Sequence, residues 1–305
     1  MTLVENPEKE LRDLDVKSSL LYRDTDYEKC VEVLRVSYKL RVSLLGSAHN
    51  DSVLNLANLG ASLGRAGYLK EAEEAFREVL AHRKDKEKEA NYLNMATAMM
   101  HLGVCLKNQG KFVEAHELLQ DSLMNSFRGY NGGIHKLATA EASFAFAVLA
   151  VQMGRICKAY ILFTLAERCL IKVLGEDHLH TRDTIWWTKR SFELMTDEGK
   201  HPVLDEVTGL IQQISAAEEI QPFNRNQIDL MNTFDGIEFD SRTAWKSEPD
   251  CDVCGFMYQL TEREHHCRPC ARSVCHACSV ALVFMGSNKP KKERCCNLCA
   301  HAGFA

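Results

Sequence analysis

The segment GYLKEA at residues 67–72 is a pattern that this chain repeats twice, and it decides the fold. It returns as GKFVEA at residues 110–115 and as GRICKA at residues 154–159, at intervals of 43 and 44 residues. A fixed period of this length is typical of repeat architectures, in which each unit stacks only on its neighbours. The sequence therefore predicts a solenoid rather than a single globular core.

Apolar and small residues stand at helical spacing on both sides of each repeated glycine. Before the glycines they predict one helix per repeat, in which Gly60, Gly103 and Ala147 let neighbouring helices approach closely. After the glycines, offsets of four and three residues place a trio of side chains on one face of a second helix. The trios are Ala72/Phe76/Val79, Ala115/Leu119/Ser122 and Ala159/Phe163/Ala166. Each unit is thus predicted to be a helix–turn–helix.

These units resemble the tetratricopeptide repeat, although their period exceeds the usual length of about 34 residues. The segments LGSAH at 45–49 and LGEDH at 174–178 are similar to the linkers of kinesin-light-chain-type repeats. The resemblance implies a mainly α fold, with the helical-repeat solenoid spanning residues 8–195.

Weaker features extend the repeat array at both ends. We expect a degenerate copy over residues 11–46, with Cys30 in the place of Ala72. Residues 181–195 are expected to form a closing helix, and packing is the preferred interpretation of Trp186 and Trp187 over ligand binding. The predicted array is therefore one weak repeat, three clear repeats and a cap.

The inner surface of such a solenoid is an extended groove lined by the first helix of each repeat. Asn58, Arg65 and His101 are the candidate residues for contact with a protein partner there. The Asn58 amide could hydrogen-bond a peptide backbone or hold neighbouring repeats together, and both interpretations stay open. No cluster of like charges stands out among the groove positions, so the sequence leaves the partner unidentified.

Four CxxC pairs follow in the last quarter of the chain, separated by twelve, four and seventeen residues. Zn²⁺ binds four thiolates tetrahedrally, and a CxxC turn presents two thiolates to one ion. Eight thiolates therefore predict two closed, structural sites, and the short middle gap favours an alternating pairing of the CxxC units. The ligand sets are then Cys251, Cys254, Cys275 and Cys278 on one ion and Cys267, Cys270, Cys296 and Cys299 on the other. A disulfide cluster is the alternative, but nothing upstream suggests export to an oxidising compartment.

The segment REHHCRPC at residues 263–270 lies inside this cysteine array. It resembles the signature of the FYVE zinc finger, in which basic residues and two histidines surround the third zinc ligand. Arg294, two residues before Cys296, fits the Arg-Val-Cys motif of that family, and Trp245 is similar to its Trp-x-x-Asp start. The resemblance implies a small FYVE-like finger over residues 245–305.

Basic side chains concentrated around two zinc sites predict an anion-binding surface. Residues 251–305 hold seven Lys/Arg and four Asp/Glu, although the whole chain has a net charge of −5. The candidate lipid-binding residues are Arg263, His265, His266, Arg268 and Arg294, with Leu260 beside them to enter the bilayer interface. The FYVE resemblance implies phosphatidylinositol 3-phosphate as the lipid. Packing and hydrogen bonding inside the finger is the alternative role of the histidines.

Three residues depart from the FYVE pattern: Glu264 replaces a basic residue, Ala271 a glycine and Cys295 a valine. Glu264 favours an alternative in which the finger does not bind lipid and serves as a structural or protein-binding module. We interpret Cys295 as a spare thiol at a packed position, because only Cys296 completes a CxxC pair. Ligation by Cys295 is the alternative.

Residues 196–244 have a different composition and are predicted to be an acidic, semi-ordered linker. Residues 196–250 contain twelve Asp/Glu and four Lys/Arg, together with three prolines, while residues 203–220 have helical periodicity. The acidity is expected to keep this linker solvated. A strap that folds back over the basic finger is the alternative.

The sequence offers neither a catalytic constellation nor a membrane-spanning segment. It contains no glycine-rich phosphate loop and no GxSxG, and no run approaches eighteen apolar residues. The charged start MTLVENPEKE predicts no signal segment, and four scattered cysteines outside the finger fit reduced cytosolic thiols.

These features together predict a non-enzymatic, cytoplasmic adaptor, peripheral on endosomal membranes, that binds a protein through its repeats and lipid through its finger. A RING-like ubiquitin ligase is a weaker alternative, since a histidine is usual among RING ligands. Nucleic-acid binding is disfavoured because the basic residues are confined to one small patch.

Overall fold

The computed structural model describes residues 6–83, 89–128, 136–196, 207–210, 212, 265–267, 273–274, 279–285 and 290–296. Helices fill the first three segments, and short strands fill the last four. The helices are α1 (Pro7–Arg23), α2 (Tyr27–Leu45), α3 (Asn50–Arg65), α4 (Leu69–Arg83), α5 (Glu89–Asn108), α6 (Phe112–Arg128), α7 (Lys136–Gln152), α8 (Ile156–Leu174) and α9 (Leu179–Thr196). The strands are β1 (His265–His266), β2 (Ser273–Val274), β3 (Ser279–Met285) and β4 (Pro290–Cys296).

Consecutive helices pack as pairs, and the pairs stack in chain order. The contacts between α1 and α2, α3 and α4, α5 and α6, and α7 and α8 define four helix–turn–helix units, and α9 packs on α8. The first helices also touch one another, since α5 contacts both α3 and α7. This arrangement confirms the predicted mainly α solenoid, including the weak first repeat and the closing helix.

The turn inside each unit has the same geometry. Gly67, Gly110 and Gly154 have φ of 87°, 79° and 76°, in the left-handed region where a side chain is disfavoured. In the first unit the equivalent residue is Thr25, with φ of 61°. All four turns also share a backbone hydrogen bond between residues five positions apart. Tyr68 N–H donates to the Leu63 carbonyl, and the equivalent bonds run from the N–H of residues 26, 111 and 155 to the carbonyls of residues 21, 106 and 150.

The core follows the predicted helical faces. All nine residues of the predicted trios are buried, and so is Cys30 in the equivalent place of the first repeat. A first and a second helix approach closely at Gly103, where an added Cβ would lie 2.7 Å from Leu119 Cγ. Small residues at these crossings therefore set the spacing between helices within a repeat.

Ion pairs join the second helices of successive repeats. Arg35 of α2 pairs with Glu71 of α4, and Arg77 of α4 pairs with Glu114 of α6. Glu73 accepts hydrogen bonds from Arg77 at 2.9 Å, from Gln109 Nε2 at 2.9 Å and from Lys111 Nζ at 2.8 Å. Partial burial acts to raise the pKa of Glu73, but these three donors outweigh it and lower the pKa to about 2.

Aromatic packing closes the array at α9. Trp187 is buried and stacks on Phe163 of α8 with ring centroids 5.8 Å apart, while Trp186 meets Trp187 edge-on at 4.8 Å. Val207 and Leu210, in a helical stretch beyond α9, are buried as well. Apolar packing thus continues past the last predicted repeat residue and into the segment predicted to be a linker.

The strands form two small antiparallel ladders. His265 pairs with Val274 and His266 with Ser273 in the first ladder, and Ser279 pairs with Cys296 at one end of the second. β1 also contacts β4, and β3 contacts α7 of the solenoid. The two ladders therefore belong together, and the second lies against the helical repeats.

Candidate functional site

Two of the eight predicted zinc ligands fall within the described residues, and they lie together. Cys267 and Cys296 are both fully buried, and the Cys296 backbone N–H donates to Cys267 Sγ at 3.2 Å. The pairing of β1 with β2 and the contact of β1 with β4 bring these distant residues together.

His265 and Arg294 are the predicted lipid-binding residues whose side chains the structure describes. His265 lies on β1 and Arg294 on the neighbouring β4, and both are half-buried. Arg294 Nη1 donates to Ser279 Oγ at 3.4 Å across the β3–β4 ladder. His266 is placed in β1 by its backbone. One imidazole and one guanidinium thus lie on adjacent strands of the finger.

The remaining finger predictions lie outside the described residues. They are the ligands Cys251, Cys254, Cys270, Cys275, Cys278 and Cys299, the lipid-binding residues Leu260, Arg263 and Arg268, and the departures Glu264 and Ala271. In the part of the chain that is described, no group of three or more metal-ligating side chains occurs, which is consistent with only two ligands falling there.

Cys295 is fully buried on β4, opposite Val280 of β3. Its Sγ donates to the carbonyl of Cys296 at 3.5 Å. Successive side chains of a strand point to opposite faces, so Cys295 lies on the face opposite to Arg294 and Cys296. This placement is the one expected for a packed spare thiol, and its partner is found on the solenoid.

That partner is Lys107 near the end of α5, a residue that sequence reasoning missed. It is 1% exposed and interacts electrostatically with Cys295. Burial lowers the pKa of Lys107 to about 7, and Arg65 lowers it further, while Cys295 acts in the opposite direction. The repeat alignment offered one signal, because the positions equivalent to Lys107 in the neighbouring repeats hold Gly64 and Val151, and neither of these residues is charged.

The predicted groove residues differ in their surroundings. Asn58 and Arg65 are exposed on α3, whereas His101 of α5 is half-buried and stacks on Phe76 with ring centroids 5.4 Å apart. Burial and the charge of Arg65 lower the pKa of His101 to about 4. His101 is therefore neutral at pH 7 and part of the repeat packing. The charge of Arg65 lowers the pKa of both His101 and Lys107.

Comparison with known proteins identifies both parts of the chain. Residues 53–125 match the family model for the tetratricopeptide repeat, and residues 243–304 match that for the FYVE zinc finger. The chain joins tetratricopeptide repeats to a FYVE zinc finger. Both are interaction modules rather than catalytic ones, and the FYVE finger is a zinc-binding module.

A solved structure supports the solenoid independently of sequence. The chain is similar to a point variant of a kinesin light chain from Podosopora anserina with nearly identical TPR-like repeats. The TM-score is 0.51 at 17% sequence identity, over 70% of this chain and 100% of the other. At this identity the comparison shows the shared fold alone.

Curated relatives match over short segments. Rabankyrin-5 of Mus musculus is 38% identical over 58 residues, which are 18% of this chain and 5% of that protein. Lateral signaling target protein 2 of Caenorhabditis elegans is 36% identical over 59 residues, which are 18% of this chain and 9% of that protein. The match therefore covers less than a tenth of either relative.

Within the described residues, no helix combines the length and the apolar character needed to cross a membrane.

Proposed function

We propose that this chain is an adaptor that holds a protein through its repeats and binds phosphatidylinositol 3-phosphate through its FYVE finger, in the cytoplasm and on endosomal membranes. The observation that carries the lipid part is the placement of His265 and Arg294 on the adjacent strands β1 and β4. Imidazole and guanidinium groups are suited to a phosphorylated headgroup because they donate hydrogen bonds to phosphate oxygens.

Two structural zinc ions would hold this surface in place. Cys267 and Cys296 would belong to one ion, together with Cys270 and Cys299, as their N–H···S contact supports. The other ion would take Cys251, Cys254, Cys275 and Cys278. Closed four-cysteine sites leave no open coordination position, so the metal contributes folding rather than chemistry.

The basic residues around these sites would share the phosphate contacts. Arg263, His266 and Arg268 flank the described His265 in sequence, and Leu260 would enter the bilayer interface beside them. Glu264 stands among these basic residues and weakens an anion site by repulsion. We therefore propose weak lipid binding that is strengthened by a protein partner on the repeats.

Liposome flotation of the full chain tests the lipid part. Vesicles that carry phosphatidylinositol 3-phosphate should retain the protein, and vesicles with unphosphorylated phosphatidylinositol should not. Glu264→Arg should tighten binding about tenfold, because it removes a repulsion and adds a charge-assisted hydrogen bond. His266→Ala should abolish retention while the zinc content stays unchanged.

Glu28→Arg is the matched control, since Glu28 is exposed on α2 and the change in charge is identical. If both arginine variants gain equally, the binding is a bulk charge effect. If even the Glu264→Arg chain is not retained, the finger does not recognise this lipid. Glu264 then supports the second candidate, a finger that acts as a structural or protein-binding module.

A further inference from the structure

The finger and the solenoid share one continuous region of buried side chains. Cys267, Cys295 and Cys296 belong to the same packed cluster as the apolar core of the repeats, and Leu282 of β3 packs against this cluster. β3 contacts α7, and Cys295 of β4 interacts electrostatically with Lys107 of α5. The β3–β4 hairpin thus lies against α7, and its Cys295 interacts with a residue near the end of α5; both are first helices, which line the inner surface of a solenoid.

Burial of Lys107 indicates that this contact is close. A lysine is seldom fully buried unless it is paired, and Lys107 is 1% exposed although it lies near the end of an inner-surface helix. The groups that act on its charge are the thiol of Cys295, Arg65 of α3 and the thiol of Cys105 on α5 itself. The protonated form of Lys107 suits a finger rich in thiolates, because a zinc ion bound by four thiolates would carry a net charge of −2.

The geometry of β4 separates this contact from the proposed lipid site. Cys295 lies on the strand face that meets Lys107, and Arg294 lies on the opposite face because side chains alternate along a strand. Ala281, which pairs with Arg294, is exposed. Val280, which pairs with Cys295, is exposed as well, so only part of the Cys295 face meets the solenoid.

We propose that the inner surface of the repeats is a docking site for the chain's own finger: the β3–β4 hairpin seats on α5 and α7 with Lys107 buried in the interface. The partner of this part of the groove is therefore intramolecular. A protein ligand of the repeats must bind elsewhere on the array, at Asn58 for example, or displace the finger. This inference rests on a folded FYVE finger and is independent of which lipid the finger binds.

Hydrogen–deuterium exchange of the full chain, read by mass spectrometry, tests the docking from both sides. Lys107→Glu places a negative charge against the thiolate-rich finger and should speed exchange in β3 and β4 about tenfold. Leu282→Asp changes the finger instead, and it should speed exchange in α5 and α7 while α1 and α2 keep their protection.

Lys158→Glu is the matched control. Lys158 is the other lysine of the described residues that is 1% exposed, and it lies on α8 with Nζ 3.0 Å from His116 Nε2 and 4.9 Å from the centre of the Phe146 ring. Both lysine variants should weaken the solenoid, but only Lys107→Glu should free the two strands.

Equal exchange of β3 and β4 in the two lysine variants would overturn the docking. Unchanged protection of α5 and α7 in Leu282→Asp would overturn it as well. Liposome flotation of the same variants separates this inference from the proposed function. Loss of docking should leave lipid binding intact, because Arg294 lies on the other face.

Discussion

The backbone N–H of Cys296 donates to the Sγ of Cys267 at 3.2 Å, across 29 positions of sequence. One cysteine of the second CxxC pair therefore lies beside one cysteine of the fourth. Cys295, adjacent to Cys296 in sequence, lies on the opposite face of the same strand and is equally buried. The two neighbouring thiols therefore lie in different surroundings.

Metal analysis of the full chain should return two zinc ions. Cys267→Ser should lower the zinc content to one ion, because its site loses a thiolate ligand. Zinc coordination contributes on the order of 10 kcal/mol to folding in small structural sites. Chelation should remove the strand signal but leave the helices of residues 7–196 folded. Cys295→Ser is the control and should retain both ions. Loss of zinc in Cys295→Ser, with both ions retained in Cys267→Ser, would contradict the assignment of Cys267 as a ligand and Cys295 as a spare thiol.

Thr25→Gly should stabilise the first repeat. A β-branched residue with φ of 61° costs about 1–2 kcal/mol in the left-handed region, and glycine removes that cost. Glycine's greater freedom in the unfolded chain offsets about 0.4–1 kcal/mol, so the net gain in unfolding free energy is about 0.5–1 kcal/mol. Urea denaturation followed by circular dichroism measures it. Thr97→Gly, at an exposed site inside α5, is the control and should lower the unfolding free energy. A lower unfolding free energy in both variants would contradict the strain at Thr25.

The repeat turns could be predicted from sequence where glycine marks them, and the first one could not. Gly67, Gly110 and Gly154 are identifiable because glycine is the residue that tolerates positive φ. Thr25 adopts the same conformation without that mark, since the packing of Cys30 and the shared turn hydrogen bond impose it. Local sequence preference was overridden by tertiary structure at this position.

The contact between finger and solenoid was also beyond the sequence. Periodicity places residues on faces within a repeat, but it does not indicate which distant segment covers a face. In the sequence Lys107 is an ordinary charged residue near a helix end, and its burial is visible only in the structure. The CxxC spacing, by contrast, is local in sequence, and it was sufficient to predict a zinc finger of the FYVE type, which the family model also finds.

Gly103→Ala should destabilise the solenoid although alanine is the better helix former. The added Cβ would lie 2.7 Å from Leu119 Cγ and 3.5 Å from the Ala115 carbonyl oxygen, so α5 and α6 must separate. Overpacking of this kind costs about 1–3 kcal/mol. At Gly64 the nearest atom outside the helix backbone is Cys105 Sγ at 3.4 Å, so Gly64→Ala should be neutral or stabilising. Equal thermal melting of the two variants would show that α5 and α6 do not approach as described.

Glu73→Gln should make the repeats less stable at pH 7 and less sensitive to acid. The folded-state pKa of Glu73 is about 2, against an ordinary value of 4.5, so its ion pairs stabilise the folded state above pH 4.5 and are lost as the pH falls towards 2. Arg77 and Lys111 are half-exposed, and solvent screening reduces the contribution to about 2 kcal/mol. Denaturant titrations between pH 3 and pH 7 should show a shallower fall for Glu73→Gln than for the unmodified chain. Glu71→Gln is the matched control, because Glu71 pairs with Arg35 on an exposed surface and should change the stability by less than about 1 kcal/mol. Equal losses of stability in both variants at pH 7 would show that the Glu73 network contributes no more than an exposed ion pair.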